Sequence, residues 1–116
     1  MPSRGEIWVA DLNPRHRTEP GKTRPVLIVQ AQALLDAGHP STLIVPLTTR
    51  LVDAAEPLRM RIPASGNLHK DSDALVDQIR AIDNDRLTRG PLTSLQPRQM
   101  SKLGEALLEV FDLVDD

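Results

Sequence analysis

Residues 20–29 read Pro-Gly-Lys-Thr-Arg-Pro-Val-Leu-Ile-Val, and the Gly21-Lys22-Thr23 triplet within them also closes a phosphate-binding P-loop. The fold turns on whether a helix or a strand follows. A P-loop needs a second glycine five residues earlier, where His16 stands, and a helix directly afterwards, where Arg24-Pro25 stands. Proline disfavours the helical region for the residue before it. Beyond Pro25 comes Val26-Leu27-Ile28-Val29-Gln30, an apolar run of strand length. No helix N-terminus is offered to a phosphate. The triplet is read as a loop running into a strand buried on both faces, and nucleotide hydrolysis is set aside.

On either side of that strand the pattern is β-rich. Glu6 to Leu12 mixes β-branched and aromatic residues and is stopped by Asn13-Pro14. The polar connection from Asn13 to Arg24 is long for a small domain, which marks it as functional or mobile. A short helix is expected over Ala31 to Ala37, stopped by Gly38 and Pro40. Thr42 to Leu47 reads as a strand in which Pro46 marks an edge or an end. Leu58-Arg59-Met60-Arg61-Ile62 alternates as a half-exposed strand does, and Ala74 to Ile82 supplies one long strand or two with a kink. Asp83 to Arg86 reads as a single helical turn. Pro97 then opens an amphipathic helix whose Met100, Leu103, Leu107, Phe111 and Val114 recur at helical spacing. Strands followed by a helix, with no repeat or linker, specify one α+β domain over residues 1–116.

The bulk composition fits that reading. A chain of 116 residues holds one core. Hydrophobic residues make up 40% and charged residues 26%, values that place it among ordinary globular proteins. The absence of cysteine excludes disulfides and thiolate metal sites and fits a cytoplasmic location. No apolar run reaches membrane-spanning length. The net charge of −2 is uneven: residues 1–50 balance to +2, residues 51–100 to zero and residues 101–116 to −4. A polyanion would therefore find its positive charge in the first hundred residues.

Lys22 and Arg24, two apart, share a face if the backbone between them is extended. Such a pair suits a phosphodiester, because arginine offers a planar donor fork and lysine a mobile point charge. A plain surface arginine at a strand end is the competing reading. Gln78 and Arg80 share a face on the same extended-chain argument and are candidates for base or phosphate contact, whereas Arg59 and Arg61 read as a solvated strand edge. Trp8 reads as core. His16, His39 and His69 are scattered, and no acidic cluster has ligand spacing, so neither a metal nor a cofactor is expected. A histidine acid–base pair stays open without a spacing to support it.

Several of these stretches together resemble the MazF/PemK (Kid-like) toxins, the endoribonucleases called mRNA interferases. The resemblance is carried by Arg4-Gly5-Glu6-Ile7-Trp8 through Asn13-Pro14, by Thr18-Glu19-Pro20-Gly21-Lys22-Thr23-Arg24-Pro25, by Ile44-Val45-Pro46-Leu47-Thr48-Thr49, by Asp77-Gln78-Ile79-Arg80 and by Leu95-Gln96-Pro97. It implies a small SH3-like β-barrel with a C-terminal helix, assembled as a homodimer. It also implies an antitoxin partner whose acidic C-terminal segment covers the RNA groove. The family's catalytic arginine falls on Arg24 and its catalytic Ser/Thr on Thr48; Glu19, Lys22, Thr49, Gln78 and Arg80 become candidate RNA contacts, with Glu19 also a candidate base. Pro20 departs from the family's usual loop, which bears on base preference. Gyrase poisons of the CcdB type share the fold class and cleave nothing, but they resemble one another in a terminal Trp-Gly-Ile, whereas this chain ends Leu113-Val114-Asp115-Asp116.

Overall fold

The computed structural model describes residues 1–13, 18 and 22–114, and in it the run after Lys22 is a strand. The elements follow in the order β1 (Glu6–Asp11), β2 (Thr23–Ile28), α1 (Gln32–Asp36), β3 (Ser41–Thr48), β4 (Arg59–Ile62), β5 (Ser72–Leu75), β6 (Arg80–Asp83), β7 (Leu87–Ser94) and α2 (Pro97–Val110). Two single 3₁₀ turns, Val76–Gln78 and Asn84–Arg86, lead into β6 and β7. The segment expected as one strand or two is thus two, parted by a turn. No helix among the described residues is long and apolar enough to cross a membrane.

All the strand pairings are antiparallel. The sheet runs β4-β5-β3-β2-β1-β7, with β6 also paired to β3. β2 and β3 are central, and their apolar runs are buried on both faces: Val26, Leu27, Ile28, Ile44, Val45 and Leu47 are all within 1% of full burial. Each such side chain is worth roughly 1.5–3 kcal/mol in removal from water, which holds these two strands at the centre. Alternation sends the side chains to two separate cores. Ile7, Leu27, Val29, Val45 and Leu47 join Leu103 of α2 on one face, while Ala10, Val26, Ile28 and Ile44 join Leu35 of α1 and Ile82 on the other.

Pro46 lies inside central β3 rather than at an edge or end. The chain tolerates it because the flank of β3 changes partner there: Ser41 to Ile44 pair with β6, and Leu47 and Thr48 pair with β5. β7 was not expected from the sequence at all. Its Gly90-Pro91 and its polar residues break the usual strand signature, but among the described strands it pairs only with β1, and an edge strand accepts proline. Gly90 lies against the half-buried Trp8. A Cβ built there would sit 2.5 Å from Cδ2 of the indole, so a side chain forces either the ring or the strand to move. Gly90→Ala is expected to lower the unfolding free energy by about 1–3 kcal/mol in a denaturant titration, the usual cost of overfilling a close contact.

The C-terminal helix stops earlier than its periodicity suggested. A capping box of Gln96 and Gln99 opens it. Asp112, with φ of 57°, closes it, as the Asp112 and Leu113 amides donate to the Glu109 and Leu108 carbonyls. The buried face therefore comprises Met100, Leu103, Ala106, Leu107 and Val110. Phe111 and Val114, expected on it, are 50% and 53% exposed.

The strand pairings trace an open path whose end strands β4 and β7 do not pair with each other, so the architecture established is an α+β fold with an antiparallel sheet and one C-terminal helix. The β4–β5 connection does approach β7. The Asn67 amide donates to the Leu92 carbonyl at 2.8 Å, and the Ser65 and Thr93 hydroxyls lie 2.8 Å apart.

Candidate functional site

The β2–β3 register brings Arg24 and Thr48 together. Val26 stands opposite Pro46, Leu27 opposite Val45 and Ile28 opposite Ile44. Continuing that register two residues past the last pair places Arg24 opposite Thr48, where the strands have stopped pairing with each other. Arg24 remains tied to β1 opposite Ala10, and Thr48 to β5 opposite Asp73. The splayed ends form the walls of a cleft of about 230 Å³ lined by Thr23, Arg24, Pro25, Leu47, Thr48, Thr49 and Ser72.

Arg24 is half-buried, and its Nη1 donates to the Leu47 carbonyl at 3.2 Å, a bond across the cleft wall to the residue beside Thr48. Thr48 is also half-buried, and its hydroxyl oxygen accepts the Arg50 amide at 3.2 Å. A hydroxyl that accepts from one side directs its own proton elsewhere. The arrangement thus joins a permanently charged planar donor to an oriented hydroxyl at one opening. Thr49 is exposed on the wall, and the buried Ser72 bonds to the Lys70 carbonyl at 3.1 Å. Thr23 and Ser72 were not singled out from the sequence; nothing in their local pattern distinguishes them from ordinary loop and strand residues.

The other candidates are placed differently. Lys22 has φ of 65°, so the backbone there is left-handed and the extended-chain argument that put it on one face with Arg24 does not hold. Its main chain instead closes the neck of the loop: its amide donates to Asn13 Oδ1 at 2.8 Å, and its carbonyl accepts the Leu12 amide at 2.9 Å. Arg86 donates to the Asp11 and Asn13 carbonyls at the same neck. Glu19 lies outside the described residues. Gln78 belongs to a 3₁₀ turn and Arg80 to the strand after it, so alternation does not set them on a common face. Arg80 pairs with Ile44, four residues from Thr48 along β3, or roughly 13 Å at strand rise. Neither lines the cleft.

Arg59 and Arg61, read as a solvated edge, do stand on the end strand β4 with Arg61 exposed, and they have a structural task as well. Both hold Asp73, whose side chain is only 1% exposed. Arg61 Nε donates to Oδ1 at 2.6 Å, Arg59 Nη1 to Oδ2 at 3.1 Å, and the Val52 amide to Oδ2 at 2.9 Å. Burial pushes the Asp73 carboxyl up, but the bonds from Arg61, Val52 and Arg59 outweigh it and hold the group below the ordinary carboxylate range. Its own bond to Asp73, with a further one to Asp53 at 2.7 Å, holds Arg61 above the ordinary guanidinium value. Alternation did put both arginines on one face of β4, but which acid they meet depends on the pairing of Arg61 with Asp73 across to β5.

Comparison with known proteins places the chain in a family context. The family model described as PemK-like, MazF-like toxin of type II toxin-antitoxin system matches residues 3–111. The Endoribonuclease EndoA of Bacillus subtilis (strain 168) is 35% identical over 116 residues, covering 97% of this chain and 96% of the relative. Among solved structures, the Mycobacterium tuberculosis toxin MazF-mt6 superposes with a TM-score of 0.77 at 25% identity, covering 95% of this chain and 99% of that one. An endoribonuclease in complex with its cognate antitoxin from a mycobacterial species has the same fold, with a TM-score of 0.75 at 23% identity over the whole of both chains.

Proposed function

The chain belongs to the PemK-like, MazF-like toxins of type II toxin–antitoxin systems, and from that premise we propose that it is an endoribonuclease cleaving single-stranded mRNA at selected sequences. The observation that carries this reading is the convergence of Arg24 and Thr48 on one cleft. In the proposed step the RNA supplies its own nucleophile. The 2′-oxygen attacks the adjacent phosphorus, loses its proton and forms a bond as the bond to the 5′-oxygen breaks and that oxygen takes up a proton. The protein orients the backbone and stabilises charge on the five-coordinate phosphorus. Arg24 binds the non-bridging oxygens, and the Thr48 hydroxyl donates to one of them. Arginine stays protonated throughout, so it stabilises charge and does not serve as the base. Thr49 contacts the strand at the cleft wall, while Lys22, Glu19, Gln78 and Arg80 serve flanking nucleotides.

The reading extends to a metal-independent reaction, a homodimer and an antitoxin whose acidic segment covers the cleft. The partner is supported by the family description and by the complexed neighbour. It extends also to an SH3-like barrel, a reading supported by the approach of the β4–β5 connection to β7. A gyrase-binding function without cleavage is not favoured, because the curated relative is named for ribonuclease activity.

The test is incubation of the purified protein with a long single-stranded RNA in EDTA, with the new ends mapped. Cuts at a recurring short sequence are expected. Intact RNA at high enzyme would overturn the reading, and cleavage restored by a divalent cation would replace the metal-independent step. With so few aromatic residues to stack bases, charge carries much of the affinity. Subsaturating cleavage should therefore fall steeply with salt, by about 0.7 log units per decade of salt for each phosphate contacted. A flat salt profile would count against phosphate contacts as the source of affinity.

A further inference from the structure

We propose that the buried Asp73 carboxylate is a positioning residue for the reaction, setting the Thr48 hydroxyl through Arg59 and the turn at residues 50–52. The inference rests on the cleavage reading and adds to it a residue outside the cleft lining.

Asp73 and Thr48 are direct register partners across β5 and β3, so the carboxylate lies at the level where β3 ends and the turn begins. Its Oδ2 takes two donors, one from that turn and one from β4. One is the Val52 amide at 2.9 Å; the other is Arg59 Nη1 at 3.1 Å, which also donates to the Arg50 carbonyl at 2.8 Å. The turn is thereby held at the carbonyl of Arg50 and at the amide of Val52. Between Thr48 and that pair of anchors lies the Arg50 amide, the donor that the Thr48 hydroxyl oxygen accepts at 3.2 Å. Arg61 on Oδ1 fixes the carboxylate from the remaining side. Without the carboxylate, Arg59 and Val52 lose the acceptor they share, the two peptide units that follow Arg50 are released, and the adjoining unit that carries the Arg50 amide is no longer held against the Thr48 hydroxyl. Leu51 and Val52 are 43% and 50% exposed, so their side chains add limited apolar burial to these bonds.

The experiment is a double-mutant cycle on the full-length protein: Asp73→Asn, Thr48→Ala and the combination, assayed by single-turnover cleavage of the mapped RNA site. Binding of a 2′-deoxy version of that site is measured alongside. Asp73→Asn is expected to slow cleavage on the order of 10-fold or more, a loss within the range of a mispositioned catalytic group, with affinity little changed. In the Thr48→Ala background it should cost almost nothing more, since the group it positions is already gone. Full additivity of the two losses would overturn the proposal. Amide hydrogen exchange supplies a readout independent of activity: Arg50 and Val52 should be protected in the wild type and lose protection in Asp73→Asn, and unchanged protection would equally overturn it. Should the wild type fail to cleave, the nuclease reading falls, while the exchange result still decides whether Asp73 holds the turn. If Asp73→Asn unfolds, Arg59→Met replaces it in both measurements: it leaves the bonds of Asp73 to Arg61 and Val52 intact and removes the Arg59 link between Asp73 and the Arg50 carbonyl, so slowed cleavage and loss of protection at Arg50 are then expected.

Discussion

Arg24→Ala should slow RNA cleavage on the order of 100- to 1,000-fold, about 3–4 kcal/mol of transition-state stabilisation, the effect of removing one donor aimed at developing negative charge. The guanidinium is held before the substrate arrives. Arg24 is locked to β1 through its own backbone pairing and to the β3 wall through the Leu47 carbonyl. Its charge therefore needs no reorganisation as the phosphorus becomes five-coordinate. Arg24→Lys keeps the charge but loses the planar fork, so it should restore binding more than rate. Single-turnover rates on the mapped RNA at fixed low salt are the measurement. Cleavage at the wild-type rate by Arg24→Ala would remove Arg24 from the chemistry. Thr48→Ala should fall in the same direction by a smaller factor, because a neutral donor interacts less strongly with an anion than a charged one.

The second large effect concerns stability. Asp73→Ala removes the acceptor shared by Arg61, Arg59 and the Val52 amide, and it is expected to cost about 3 kcal/mol, the low end for a broken buried pair. The low end applies because both arginines keep access to water, with side chains 25% and 37% exposed. For a domain of this size that corresponds to a fall in melting temperature of roughly 10 °C. The pH dependence has a defined sign. The folded carboxyl is held below its unfolded value, so its contribution is present above the unfolded carboxylate pKa of about 3.9 and is lost as pH falls through the folded value. In an Arg59→Met/Arg61→Met protein, burial of Asp73 would be opposed only by the Val52 amide. The folded pKa would then rise above the unfolded one, and the group's contribution would be lost as pH rises. The stability gap between wild type and that variant should widen from acid toward neutrality. A gap independent of pH would mean that the arginines do not stabilise the charged form.

How much of this was legible in the sequence varies from residue to residue. Pro25 and the apolar run behind it excluded a P-loop helix on local sterics alone, and β2 begins at Thr23 as that argument requires. The short helix at Gln32–Asp36, the turn at Asn84–Arg86 and the start of α2 at Pro97 were equally local matters. Phe111 and Val114 were misread because spacing continues past the point where Asp112 turns left-handed, and periodicity carries no stop signal of its own. Gln78 and Lys22 were misplaced for one reason: both arguments assumed extended backbone, and both residues sit in turns. β7 was missed because an edge strand is free of the apolar alternation that identifies a central one.

The site shows the same division. Arg24 drew notice as a donor fork at the mouth of an apolar strand and Thr48 through family resemblance, but their meeting is a matter of register, set by pairs such as Leu27 with Val45 that burial on both faces holds in place. Asp73 had no signal of its own, since its significance lies in Arg59, Arg61 and Val52, contributed by β4 and the preceding loop. By itself the sequence determined the strand nature of residues 23–28, the amphipathic helix after Pro97 and the residue types available for phosphate chemistry, because steric limits and side-chain periodicity act over a few neighbouring residues. Only the tertiary structure decided which arginine faces the cleft and which arginines neutralise a buried acid, because contacts between strands far apart in the chain depend on how whole faces are buried together.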